Sequence, residues 1–98
     1  MNFNMKCYSL VSKVPAGKIT TYKDIAKALN SKNYRGVGNA MKLNKNYNKV
    51  PCHRVIRTNG SIGEYNLGKD KKKEILISEG HLIKKEKILN YKEKLFAF

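Results

Sequence analysis

Two stretches of helical periodicity, separated only by Ser31 and Lys32, constrain this chain more than any other feature. Thr21 begins the first, with Asp24 three residues on as in a capping box, and Ile25, Ala26 and Leu29 form its buried stripe before it ends near Asn30. In the second, from about residue 33 to residue 44, Val37, Ala40, Met41 and Asn44 share one face while Gly36, Asn39 and Lys42 share another. Two helices across so short a turn outline a helix-turn-helix. Glycine inside a helix costs about 1 kcal/mol against alanine, so Gly36 and Gly38 need a reason. Close approach of the helix backbone to a phosphate chain supplies one; loose packing supplies another.

Other elements frame this pair. Phe3, Cys7, Leu10, Val11 and Val14 form one apolar stripe and predict a first helix ending near Pro15 and Gly17. Cys7 lies on that stripe, where a small buried hydrophobe is the simpler reading. Pro15-Ala16-Gly17-Lys18 reads as a turn into a short extended Ile19-Thr20. Val55-Ile56-Arg57 and Ser61-Ile62-Gly63 flank Thr58-Asn59-Gly60, which predicts a β-hairpin serving as a wing. A further helix is expected from about Lys69 to Glu79, with Ile75 and Leu76 inward and Gly80 as its stop. Residues 81–98 mix Lys and Glu with Ile88, Leu89, Leu95 and Phe96 and fit either a helix or a strand. The expected fold is therefore mainly α with a small β-hairpin, a single winged helix-turn-helix-like domain over residues 1–80. Residues 81–98 are expected to be a basic and apolar C-terminal extension without an assigned role.

Charge narrows the partners. The formal net charge is +14, and residues 1–68 carry 12 Lys/Arg against 2 acidic residues. Such a field favours polyanions, although a merely solubilising surface has the same composition. The two cysteines, Cys7 and Cys52, lack metal-ligand spacing and point to a reducing compartment. No run approaches 18 apolar residues, and no leader peptide is recognised. The expectation is a monomer in the cytoplasm (the nucleus in a eukaryote), with no metal, no cofactor and no membrane partner.

The chemistry centres on Val50-Pro51-Cys52-His53-Arg54-Val55. A thiol attacks only as thiolate, and an unperturbed cysteine is a few per cent ionised at neutral pH. His53, directly or through water, can take the proton, and Arg54 can favour the anion. Glu79 shares the apolar side of its helix yet stands in the last turn, where the helix dipole disfavours a carboxylate. An inward-facing charge needs a partner, and His53 or His81 qualifies. Cysteine beside histidine is by itself a weak signal, since sequence neighbours often point apart.

The motifs in order are more specific. Pro51-Cys52-His53-Arg54-Val55, preceded by Arg35-Gly36-Val37-Gly38-Asn39-Ala40-Met41 and Asn44, resembles the active-site domain of the O6-alkylguanine-DNA alkyltransferases, the methylated-DNA–protein-cysteine methyltransferases. Gly17-Lys18-Ile19-Thr20-Thr21-Tyr22, Asp24-Ile25-Ala26, Gly60-Ser61-Ile62-Gly63-Glu64-Tyr65, Gly68, Lys72 and Glu79-Gly80 extend the similarity over about residues 5–80.

The resemblance implies a role for each residue. Cys52 would accept the alkyl group once and irreversibly, with His53 polarising it and Glu79 orienting His53. Arg35 would fill the stack left by a guanine flipped out of double-stranded DNA. Tyr22 would press on the target phosphate and donate to guanine N3. Asn44 would hold the loop that carries Cys52. Gly36, Gly38, Asn39 and Lys42 would face the DNA. Met41, Val55, Tyr65 and Asn66 would wall the base pocket, with the carbonyls of Cys52 and Val55 accepting from the guanine 2-amino group.

Departures accompany the match. The family commonly carries a domain ahead of this one, sometimes with structural zinc, and the sequence begins at the first shared helix. The loop Asn44-Lys45-Asn46-Tyr47-Asn48-Lys49 lacks the family's prolines, and Glu64 replaces a small or amide residue. Three alternatives compete. One is an alkyltransferase-like binding protein, a type that holds the lesion and recruits repair factors but carries tryptophan at the thiol position. The others are a winged-helix regulator and a thiol hydrolase.

Overall fold

The computed structural model describes residues 1–98. Helix α1 (Phe3–Val11) starts where the Asn2 side chain accepts from the Met5 amide at 2.8 Å. It stops one turn earlier than the apolar stripe predicts. The Val14 amide bonds to the Val11 carbonyl in a turn, so Val14 stays buried without remaining helical. Strand β1 (Thr20–Thr21) leads directly into α2 (Tyr22–Ala28), whose N-cap Thr21 accepts from the Asp24 amide at 3.0 Å. Asn30 in the left-handed region ends that helix, and α3 (Tyr34–Leu43) begins at the N-cap Asn33. This is the helix-turn-helix read from the sequence, within a residue or two at each end.

Beyond α3 a loop leads to a single 3₁₀ turn, Cys52–Arg54, and then β2 (Val55–Ile56). Here the structure corrects the expected hairpin. β2 pairs in parallel with β1, Thr20 against Val55 and Thr21 against Ile56. The turn at Thr58–Gly60 exists, closed by Arg57 N to Ser61 O at 2.9 Å, but no ladder grows from it. Ser61 instead bridges to Lys87, and the Ile62 amide bonds to Glu86. The β-hairpin lies in the tail, where β3 (Ile83–Lys84) and β4 (Lys87–Ile88) pair antiparallel around Lys85 and Glu86, both at positive φ. Two consecutive left-handed residues match the right-handed twist of the flanking strands, which is why this short hairpin closes without glycine. Helix α4 (Lys69–Ser78) precedes it, and Gly80 at φ 97° closes the helix as predicted.

Side-chain alternation along β2 divides the core. Val55 faces a cluster with Cys7, Val11, Ile25, Val37 and Ala40, built by α1, α2 and α3. Ile56 faces the other way, into Ile19, Ile62, Leu76 and Ile88. The tail therefore supplies core: Ile88 joins this second cluster, and Leu95 bridges to Ile19. No helix is long and apolar enough to cross a membrane.

Candidate active site and nucleic-acid groove

The β1–β2 pairing brings the 3₁₀ turn that carries Cys52 against the start of α2, which carries Tyr22. Cys52 is 5% exposed and belongs to the helical core cluster, yet it also lines a pocket of about 390 Å³. Tyr22, Met41 and Lys42 line the same pocket from α2 and α3, and Glu64, Tyr65 and Asn66 from the facing loop. A volume of that order suits a small heterocycle. The sulfur is not sealed in.

Its surroundings tune the thiol in opposing directions. Burial pushes the Cys52 thiol above its ordinary value, while the Asn44 amide and the charge of Lys72 pull it partly back. Burial, the largest of these influences, favours the protonated thiol. The sequence reading gave Arg54 the task of favouring the anion, and the structure assigns Arg54 elsewhere. Its Nε and Nη2 donate to the two carboxylate oxygens of Glu79 at 3.0 and 2.6 Å, and Nη1 donates to the Val14 carbonyl at 2.8 Å. The fork is bidentate, the geometry in which arginine and carboxylate hold each other most firmly.

Glu79 thus meets two partners. His53 Nε2 lies 3.2 and 3.1 Å from its two oxygens, so in the neutral ring this nitrogen is the protonated one and donates to the carboxylate. Burial pushes the His53 imidazole below its usual value, against the pull of Glu79. Burial alone would raise the Glu79 carboxyl, but the hydrogen bonds and charges of Arg54 and His53 hold it below the ordinary range. A neutral imidazole backed by an ionised carboxylate is an arrangement able to accept a proton and to stabilise the cation that results. The Tyr65 ring stands edge-on to His53 at 6.4 Å between centroids, and to Tyr47 at 6.0 Å.

Asn44, at the C-terminal end of α3, donates to the Val50 carbonyl at 2.9 Å and accepts from the Asn46 amide at 3.0 Å. It spans the loop ahead of Cys52 from the inside. Asn66 donates to the carbonyls of Met41 and Asn44, tying the facing loop to the end of α3. Burial raises the Tyr22 phenol, which stays a proton donor over the neutral range.

A second, more open groove of about 770 Å³ adjoins the pocket, and Tyr22 and Glu64 line both. Arg35, exposed in the first turn of α3, lines it with Gly38, Tyr34 and Arg57. Gly38 faces open space, whereas a Cβ on Gly36 would meet the capping side chain of Asn33 at 2.3 Å. Gly36 therefore has a reason inside the fold: it leaves room for the helix cap. Asn39 is exposed on α3 but lines neither cavity. Val55 does not line the pocket either; its side chain is fully buried and its carbonyl already accepts from Lys72 at 2.7 Å.

Lys72 is the residue that sequence reasoning left without a role. It is fully buried, and its Nζ also donates to the Glu64 carbonyl at 3.0 Å, so one ammonium clamps the strand after Cys52 to the facing loop. Burial drives its amine down to about 7, against the attraction of Cys52 and Glu64. The signal was available: Lys72 lies four residues before Leu76, on the inward face of α4.

Comparison with known proteins agrees with this geometry. The family profile described as "6-O-methylguanine DNA methyltransferase, DNA binding domain" matches residues 2–81. The methylated-DNA–protein-cysteine methyltransferase of Metallosphaera sedula is 43% identical over 83 residues, covering 85% of this chain and 52% of the relative. That of Methanocaldococcus jannaschii is 47% identical over 77 residues, covering 79% and 45%. The chain thus spans about half the length of these relatives. Among solved structures, Schizosaccharomyces pombe Atl1 in complex with damaged DNA containing O6-carboxymethylguanine superposes with a TM-score of 0.85 at 34% identity, covering 97% of this chain and 94% of that one. Mycobacterium tuberculosis OGT in complex with DNA gives 0.76 at 30% identity, covering 81% and 49%. With a profile match over most of its length and a superposable fold, the chain belongs to the O6-methylguanine-DNA methyltransferase family of DNA-repair proteins.

Proposed function

We propose that this protein repairs O6-alkylguanine in double-stranded DNA by moving the alkyl group onto Cys52, one group per molecule. The observation that carries the reading is the thiol at a pocket wall, backed by the His53–Glu79–Arg54 chain and opening beside the basic groove of Arg35. The groove takes the phosphate backbone, with Gly38, Asn39 and Lys42 on the exposed side of α3. Arg35 occupies the space vacated by the flipped base, and its planar cation restores part of the stacking lost.

The transfer balances without a cofactor. The Cys52 proton passes to neutral His53, directly or through a water, as Sγ attacks the alkyl carbon. The new S–C bond forms while the O6–C bond breaks, and its electron pair goes to the guanine ring. Tyr22 protonates the leaving base at N3, and the proton on His53 returns to the phenolate through solvent. The thioether has no proton to lose and is a poor leaving group, so nothing regenerates the thiol. Glu79 positions His53 and stabilises its cationic form; Asn44 and Lys72 hold the two walls of the site.

Incubation with an oligonucleotide containing O6-methylguanine is expected to add one methyl group to the Cys52 peptide, read by mass spectrometry. Tight binding of the lesion with an unmodified thiol would sink the reading. That outcome is the second reading, a lesion-binding protein, and one observation favours it: Atl1 matches this chain almost end to end. The cysteine at position 52 favours transfer.

A further inference from the structure

Building on the transfer reading, we propose that Glu64 is a charge filter, making the Cys52 pocket favour neutral or cationic O6-substituents and disfavour anionic ones. Only two charged side chains line that pocket, Lys42 and Glu64. The position of Glu64 is fixed by its backbone: Gly63 precedes it at φ 73°, and buried Lys72 holds its carbonyl at 3.0 Å. The Glu64 side chain is 78% exposed and lines both pocket and groove. Its one ion-pair partner, Arg57, is 3.9 Å away and itself exposed. An exposed pair at that distance compensates little.

On DNA the imbalance grows. Lys42 at the pocket and Arg57 in the groove are both exposed, and on DNA these flexible cations turn toward phosphates, which neutralise them. Glu64 has no such partner in the duplex. It remains as an uncompensated negative charge beside the bound base, next to whatever the O6 oxygen carries. A methyl group is indifferent to it. A carboxylate meets repulsion, weakened by solvent and salt but directed.

The test compares single-turnover transfer from duplexes containing O6-methylguanine or O6-carboxymethylguanine, for the unaltered chain, Glu64→Gln and Glu64→Lys. The quantity read is the methyl-to-carboxymethyl rate ratio, in which general changes in DNA affinity cancel. It should fall about fivefold in Glu64→Gln, further in Glu64→Lys, and the difference should shrink as salt is raised. A ratio unchanged in both variants, or higher than in the unaltered chain, overturns the proposal. Equilibrium binding of the two duplexes by the same proteins carries the same comparison without chemistry. If no methyl reaches Cys52, the transfer reading fails, and the binding ratio still decides for or against the filter.

Discussion

Cys7 and Cys52 are the same residue in the same core cluster, and both are free thiols. Their surroundings differ in kind. Cys7 sits on α1 beside Val11 with 0% exposure, and burial raises its thiol with nothing opposing the rise. Cys52 opens a 3₁₀ turn after Pro51, borders a pocket, and feels the Asn44 amide and the Lys72 charge working against its burial. Burial alone silences a sulfur. Burial beside directed donors, with one side left open, gives Cys52 a pull toward ionisation and an access that Cys7 lacks.

The sharpest way to break this contrast is to remove each sulfur in turn. Cys52→Ala should abolish alkyl transfer from an O6-methylguanine duplex while DNA affinity, read by fluorescence anisotropy, stays within about twofold. Loss of both would mean that Cys52 holds the fold rather than the chemistry. Any methyl group found on Cys7 in that variant would erase the distinction between the two sites.

Next in size is the carboxylate behind His53. Glu79→Gln keeps the shape but leaves Arg54, whose head is mostly buried, without its bidentate partner, and deprives the His53 cation of its counter-charge. Transfer should slow about a hundredfold, the lower range of acid–base contributions. Unfolding stability should fall by about 3 kcal/mol, as for a buried pair broken on one side. Acid should reproduce part of that loss in the unaltered protein. His53 and His81 are held neutral, below their usual values, so the unfolded chain binds more protons and stability declines as pH drops below about 6.5. Glu79, held low, adds to the decline only once pH falls below the ordinary carboxylate range. A flat stability curve from pH 7 to 5 would contradict this account.

The contrast also marks what a sequence discloses. The helix-turn-helix was legible because its caps are local: Thr21 with Asp24 and Asn33 with Gly36 close within three residues. The apolar faces of α2 and α3 were legible for the same reason, through their period. The partner of β2 was not, because a two-residue strand carries no register signal and its match, Thr20–Thr21, lies more than thirty residues upstream. The Asn-Gly turn invited a hairpin that the tail displaced, since Lys87 and Glu86 offered Ser61 and Ile62 better-placed partners. At the site, Cys52, His53 and Glu79 were nameable from residue type and helix face. The redirection of Arg54 to Glu79 and Val14, and the burial of Lys72, depend on contacts that span 17 to 40 residues. Only the folded chain displays those.

A smaller effect is expected from Lys72→Met, which keeps the length of the side chain and removes its charge. Transfer should slow about tenfold near neutral pH, where Lys72 still carries part of the charge that favours the Cys52 anion, and the rate at which Cys52 reacts with iodoacetamide at about pH 7 should fall with it. Stability offers an independent check. In the folded chain Lys72 titrates at about 7 rather than 10.5. Between those values the unfolded chain keeps a proton that the folded one has released, so stability should rise with pH from about 7 toward 9, where thiols held above their usual value begin to oppose it. Lys72→Met should lack that rise. If it retains both the slope and the reactivity of the thiol, Lys72 is packing and nothing more.

The smallest effect belongs to Cys7→Ala, and it is the one that isolates the comparison. Removing a fully buried sulfur leaves a cavity between α1 and its neighbours, costing about 1 kcal/mol because the surrounding side chains collapse only in part. The loss should appear as a lower midpoint in denaturant with an unchanged slope. Tyr8, next to Cys7, still anchors α1 by donating to the Ala40 carbonyl at 2.7 Å, so α3 and the pocket wall it supplies should hold their places. Transfer to Cys52 should then remain within about twofold of the unaltered rate. A drop larger than tenfold would show that the first helix governs the geometry of the second sulfur, and the two cysteines would have to be treated as one site.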